Sequence, residues 1–213
     1  MSRKMVSKTV VCVAGLVLAG AASAQDFSKF TFNIGGGVTE PVRDRGRLDP
    51  GFNFNVGAGV KLSGFSLVGE FGYNQMGVTS RALSAIGAPD GATRIYSATL
   101  NPVVHFNPHG RFDAYVIGGG GYYRRTIEFT EPTIGTATFF DPFYGVFYPA
   151  AVPTNTVLGS FTQNKGGLNA GAGIEIRVKG DSQAKFFAES RYHYIYTTPN
   201  RTKMLPVTFG FRW

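Results

Sequence analysis

Apolar and polar residues alternate one by one through much of this chain. From 52 to 62 the even positions Phe52, Phe54, Val56, Ala58, Val60 and Leu62 are apolar, and the positions between them are Asn, Gly or Lys. From 168 to 178 the pattern recurs, with Leu168, Ala170, Ala172, Ile174, Ile176 and Val178 set against Asn169, Gly171, Gly173, Glu175 and Arg177. Successive strand side chains point to opposite faces, so each segment has one oily and one polar face; a helix would scatter the same residues around its circumference. Extending the period predicts eight strands, over 29–41, 52–62, 65–76, 93–106, 112–125, 164–178, 184–196 and 204–213. Two are irregular. Ile95 and Val103 interrupt the polar face of the fourth, and Gly118 to Gly121 leave the parity of the fifth open.

The breaks between these strands alternate long and short, from a two-residue turn at Ser63-Gly64 to the whole of 126–163. One end of the sheet therefore carries loops and the other tight turns such as Lys179-Gly180-Asp181. No stretch after residue 25 holds the ~18 uninterrupted apolar residues of a spanning helix.

Two barrels fit this alternation. A soluble ligand-binding barrel of the lipocalin sort turns its oily face inward, whereas a membrane barrel turns it outward and keeps polar groups in the lumen. Charge placement favours the second. Glu70, Glu175, Arg177, Glu189, Arg191 and His193 sit within strands, opposite apolar or aromatic rows. In a lipid-facing barrel they must be lumenal, because Arg or Lys at the bilayer midplane costs about 2–4 kcal/mol, and acids and bases can pair there. Aromatics such as Phe30, Phe52, Tyr96, Phe106 and Tyr196 gather near strand ends, where an interfacial girdle would lie.

Composition changes the picture in two places. Gly accounts for 29 of 213 residues, and charged residues for only 16%, material suited to closely approaching strands and not to a helical bundle. At the start, Arg3, Lys4 and Lys8 precede an apolar run from Thr9 to Leu18 and the small-x-small site Ala22-Ser23-Ala24. This reads as a signal peptide over 1–24, with 25–213 as a single barrel domain. Cleavage would take three of the 21 basic residues and none of the 13 acidic ones, lowering the formal charge from +8 to +5. The one cysteine, Cys12, would leave with it, so disulfide and thiolate chemistry are not expected.

The last strand carries a resemblance. Leu205, Val207, Phe209, Phe211 and Trp213 alternate to the final residue, and this looks like the C-terminal assembly signal of bacterial outer-membrane barrels. With the leader, the loop asymmetry, and segments such as 114–123 and 187–192, the chain resembles the small eight-stranded outer-membrane β-barrels, the OmpA-like group. The resemblance implies an all-β, eight-stranded antiparallel up-and-down transmembrane barrel in the outer membrane of a Gram-negative bacterium, with long extracellular loops and short periplasmic turns. It also implies passage through the barrel-assembly machinery, using Phe209, Phe211 and Trp213. The long 126–163 segment departs from the family, and no cell-wall tether is expected.

An eight-stranded barrel is just wide enough for side chains to fill. A filled lumen moves function outside, to a structural or surface-interaction role. The expected working parts are the 126–163 loop, with Phe139, Phe140, Phe143, Tyr144, Phe147 and Tyr148, and a basic rim at Arg43, Arg45, Arg47, Arg124 and Arg125. Guanidinium forks suit the phosphates of lipopolysaccharide. The other readings are a lipid A-modifying enzyme with His193 as base, a narrow pore, and a periplasmic ligand-binding barrel. His105 and His109 read as solvated turn residues. Nothing in the chain has the spacing of a metal, nucleotide or other cofactor site, and the expectation is a monomer with lipid as partner, an unidentified extracellular ligand and no nucleic acid.

Overall fold

The structure, a computed structural model, describes residues 29–42, 46–62, 65–108, 110–178 and 184–213. The expected leader, Cys12, Arg43, Arg45, His109 and the turns at 63–64 and 179–181 lie outside these residues. Eight antiparallel strands follow in chain order: β1 (Phe30–Pro41), β2 (Gly51–Leu62), β3 (Phe65–Gly77), β4 (Asp90–His105), β5 (Phe112–Asp141), β6 (Val146–Arg177), β7 (Lys185–Ile195) and β8 (Thr202–Arg212). Each pairs with its chain neighbours, and β8 returns to β1 to close the ring. Closure reaches the last residue, where Trp213 and Phe32 exchange backbone hydrogen bonds of 2.9 and 3.3 Å.

Alternation becomes a wall with two solvents. Phe52, Phe54, Val56 and Val60 of β2 and Leu168, Ile174 and Ile176 of β6 stand on the outside, while Asn53, Asn55, Asn169 and Glu175 are buried within. This overturns the soluble alternative, whose oily rows would line the interior. On β5 the odd positions Asp113, Tyr115, Ile117 and Tyr123 point inward, which resolves its parity. Ile95 and Val103, which break the polar pattern of β4, are fully buried in the lumen.

The 126–163 segment, whose conformation the sequence leaves open, extends the two strands that flank it. It is not irregular: β5 runs for 30 residues and β6 for 32, paired from Phe112↔Ile176 to Asp141↔Val146 with one register shift at Phe129/Thr130. Sixteen residues of β5 and eighteen of β6, at about 3.3 Å apiece, carry the hairpin roughly 50 Å beyond the expected strand ends. Outside the bilayer both faces of a ribbon meet water, so no period of two marks it. At the apex Gly145, with φ of 67°, takes the left-handed conformation the turn needs, and its N–H donates to Asp141 O at 2.9 Å.

One seven-residue helix, α1 (Ser80–Ile86), sits in the β3–β4 connection and is not legible in the alternation. Thr79 caps it through a 3.3 Å bond from Ala82 N, Gly87 ends it in the left-handed region, and Leu83 is its one buried side chain. The first outer loop is stitched to this connection by Asp49 N to Gly77 O and Thr79 N to Arg47 O, both 2.9 Å.

These environments differ enough to test. Val56→Arg, central on the lipid face of β2, is expected to lower folding stability by about 2–4 kcal/mol, while Val157→Arg on the projecting ribbon should change it by less than about 0.5 kcal/mol. Urea titration of the barrel folded into phospholipid vesicles measures both.

Candidate functional site

The lumen is filled by one chain of ion pairs. At its centre Arg191 of β7 crosses the barrel to grip Glu70 of β3 with two bonds of 2.8 Å, and its Nε also donates to Glu189. Glu189 accepts from the Tyr115 hydroxyl at 2.9 Å and lies 3.9 Å from Arg212 of β8. Arg212 in turn pairs with Glu175 while its guanidinium lies over the rings of Tyr115 and Phe187, at 4.8 and 5.2 Å. Lys185 bridges Glu175 at 3.0 Å and Asp113 at 4.0 Å, and Asp113 meets His105 Nδ1 at 2.7 Å. The ladder thus runs from the end bearing the short turns to mid-barrel.

Register explains why Lys185 is needed. Asp113 and Glu175 are directly opposed across the β5–β6 ladder, a like-charge pair that is unfavourable unless a cation joins it. His105, Asp113 and Glu175 bring ligand atoms within 4.8 Å of one another, and the Lys185 ammonium already serves two of them as cation.

Large charged groups fit because glycine faces them. A Cβ on Gly171 would lie 2.6 Å from Arg191 Cγ, and one on Gly173 would lie 2.5 Å from the Tyr115 ring and hydroxyl. Above the ladder, Met76, Ile95, Tyr123, Ile195 and Met204 form an apolar layer across the lumen, with Leu48 of the first outer loop packed on it. Between ladder and seal a polar cavity of about 20 Å³ touches Glu70, Arg191 and His193. That is room on the scale of one water molecule, not of a solute path.

Four of the six residues expected in the lumen, Glu70, Glu175, Glu189 and Arg191, meet in this ladder. Arg177 does not. It has the right parity but stands at the strand end, exposed, and its place beside Glu175 is taken by Lys185 and Arg212. His193 is buried and meets the Tyr123 hydroxyl at 2.9 Å, while Ser190 lies on the outer side of β7, so no His–Ser relay forms. His105 is corrected too: it ends β4 and is held by Asp113, not solvated in a turn. Asp113, Tyr115, Lys185 and Arg212 went unpredicted. Arg212 alternates with Phe211 and Trp213, and that phase was a usable signal.

At the outer end Arg124 and Arg125 part company. Arg124 is exposed on the outer wall, whereas Arg125 turns inward and donates to Thr202 Oγ1 at 2.7 Å. Arg47 is exposed at the mouth. Outside, Arg201 donates to the Tyr194 hydroxyl at 2.7 Å and lies 5.9 Å from the Tyr196 ring, while Lys203 lies 5.2 Å from the Tyr194 ring. On the hairpin, Phe143 is 92% exposed and Tyr144 75%, with Phe139, Phe140, Phe147 and Tyr148 also exposed. Phe140 and Phe147 pack as a tilted pair across the ribbon, 5.1 Å between centroids. The Asp141 carboxylate is used internally, accepting from the N–H groups of Phe143 and Tyr144 at 2.8 and 3.3 Å.

A closed ring with oily rows outside and paired ions within defines a transmembrane β-barrel. Its final strand presents Phe209, Phe211 and Trp213 on the outer wall. The chain belongs to the family of the outer membrane protein beta-barrel domain, whose model matches residues 9–212. Among solved structures it is similar to Neisserial surface protein A (NspA), at 14% identity and a TM-score of 0.57, over 86% of this chain and 95% of that one. It is also similar to Ail of Yersinia pestis, solved in complex with the heparin analogue sucrose octasulfate, at 15% identity and a TM-score of 0.43 over 87% and 97% of the two chains. OprG from Pseudomonas aeruginosa aligns at 14% identity and a TM-score of 0.46, over 87% and 95%. At such identities the likeness is one of fold. No curated protein matches the chain in sequence. The protein resides in the outer membrane.

Breaking one rung should be costly. Arg191→Met leaves Glu70 and Glu189 buried without their shared cation and is expected to cost about 3–5 kcal/mol. Adding Glu70→Gln and Glu189→Gln should recover at least half of that loss in urea unfolding, because the buried unpaired charge is then gone.

Proposed function

We propose that this protein is a surface-interaction protein in which the barrel is a sealed anchor and the β5–β6 hairpin is the working part. The observation that carries this reading is the hairpin itself, two strands of 30 and 32 residues ending in an apex of exposed aromatic side chains. A buried ion ladder and an apolar seal leave no room for transport, so the exposed chemistry is at the tip. Aromatic rings supply large contact area at low conformational cost, and the tip's one acid is consumed within its own turn. Catalysis is not assigned, since the one candidate base, His193, is enclosed with Tyr123 as its bonded partner.

The test is adherence of bacteria expressing the protein to an epithelial monolayer. Replacing Phe143, Tyr144 and Phe147 together by Ser should lower adherence at least tenfold while the barrel keeps its heat-modifiable gel mobility. Equal adherence would remove the hairpin from the role.

A second contact is favoured by one feature. Arg201 and Lys203 lie against Tyr194 and Tyr196 on the outer wall beside the β7–β8 connection, cations held over aromatic rings and suited to lipid phosphates. Of the expected set, Arg124 joins this patch on the outer wall as the lipopolysaccharide contact, Arg47 and Arg125 face the mouth, and Arg43 and Arg45 lie outside the described residues. Arg201→Ala with Lys203→Ala should at least halve the lipopolysaccharide bound in native mass spectra; unchanged occupancy rules the patch out.

A further inference from the structure

The outer mouth holds a groove that neither the anchor nor the hairpin tip explains. It has a volume of about 590 Å³, between α1, the first outer loop, the outer ends of β4 and β5, and the β7–β8 connection. Small-molecule sites occupy roughly 300–1,000 Å³, so the size suits one. Leu48, Val78, Ile86, Ile127 and Phe129 give it an apolar wall. Arg47, Arg81 and Arg125 supply its charge, and no acidic side chain among the described residues lines it. Neither Arg47 nor Arg81 has a carboxylate partner among the described residues.

A second feature also points to a ligand. Thr93, inward on β4 opposite Ile127, lines the groove with 1% of its surface exposed, and its Oγ1 has no hydrogen-bond partner. Buried hydroxyls are normally satisfied, and one left open at the floor of a cationic groove is placed to serve a bound polar head. A wall of apolar side chains beside three guanidinium groups selects a molecule that is oily along its length and anionic at one end. Below the groove lies the apolar seal on which Leu48 packs, so the ligand does not continue into the lumen.

We propose that this groove binds a single-chain fatty acid, with its carboxylate among Arg47, Arg81 and Arg125 and its chain along Ile86, Ile127 and Phe129. A membrane lipid with several chains exceeds the groove, and an uncharged alcohol lacks the group the arginines require.

The experiment uses the whole barrel in nanodiscs of zwitterionic phospholipid and palmitic acid carrying a photoreactive diazirine, with crosslinks mapped by mass spectrometry. Labelling is expected to concentrate on the peptides holding Ile86, Ile127 and Phe129. It should be displaced by unlabelled palmitate, persist against the matching alcohol, and fall at least fivefold in Arg47→Glu/Arg81→Glu. Ala85→Trp, which fills the groove while keeping all three arginines, should lower it similarly, and heat-modifiable mobility checks that each variant is folded. Labelling spread over the outward rows of the strands, equal labelling in either folded variant, equal displacement by the alcohol, or displacement by lipopolysaccharide but not by palmitate would each overturn the assignment.

Discussion

Hydrocarbon supplies no hydrogen-bond partner to a peptide group, and the structure follows from that constraint. An open sheet would expose two rows of N–H and C=O groups, each costing several kcal/mol when unpaired. Pairing β1 with β8 removes both edges, and it uses the chain to its final residue, where Trp213 bonds to Phe32. Closure at eight strands then sets an interior that side chains can fill, and the outward rows must be oily. The ionic ladder is a second consequence. Charges excluded from the wall collect in a space with little water, where only paired groups are tolerated.

This interior shows how register and composition solve one problem together. Asp113 and Glu175 face each other because their strands are held by backbone bonds at both ends, and the resulting repulsion is answered from a third strand by Lys185. Arg191 spans the lumen between β7 and β3, possible because its neighbour across the β6–β7 pair is Gly171. Glycine here is less a matter of backbone freedom than of volume, since each absent side chain is space that an arginine or tyrosine occupies.

The parts legible in the sequence were those with two different solvents on their two faces. β2, β6, β7 and β8 alternate because one side meets lipid and the other the lumen; both ends of β2, β7 and β8 and the inner end of β6 lie within two residues of the expected ones. The fifth strand's parity was hidden by Gly118 to Gly121, which have no side chain to declare a face. Parity also says nothing about height: Arg177 shares the inward phase of Glu175 but lies past the ion ladder, while Arg212, which pairs with Glu175, belongs to a strand separated from β6 by the whole of β7. Partnerships such as Glu70 with Arg191 join residues 121 apart and have no local signature. The hairpin, wet on both faces, showed only its composition, and α1, with one buried residue, too little periodicity to register.

The hairpin and the barrel are coupled in a way that composition alone would not suggest. A free two-stranded ribbon is marginal in water, yet this one continues for sixteen residues of β5 and eighteen of β6 past the expected strand ends. Its register is imposed from below, by strands whose pairing is compulsory inside the membrane, so the ribbon begins already nucleated. Side-chain ties at its base reinforce this: Arg94 of β4 pairs with Glu128, and Gln163 of β6 accepts from Thr198 N at 3.1 Å in the β7–β8 connection. Higher up, the cross-strand ring pair of Phe140 and Phe147 replaces the neighbours that β4 and β7 no longer supply. Pro132, Pro149 and Pro153 lack the N–H that an added strand would need, so they blunt the ribbon's exposed edges without disturbing its apex. A projecting ribbon of this length is thus an extension of the transmembrane hydrogen-bond ladder, and its persistence outside the bilayer is inherited from the closure that the bilayer demands.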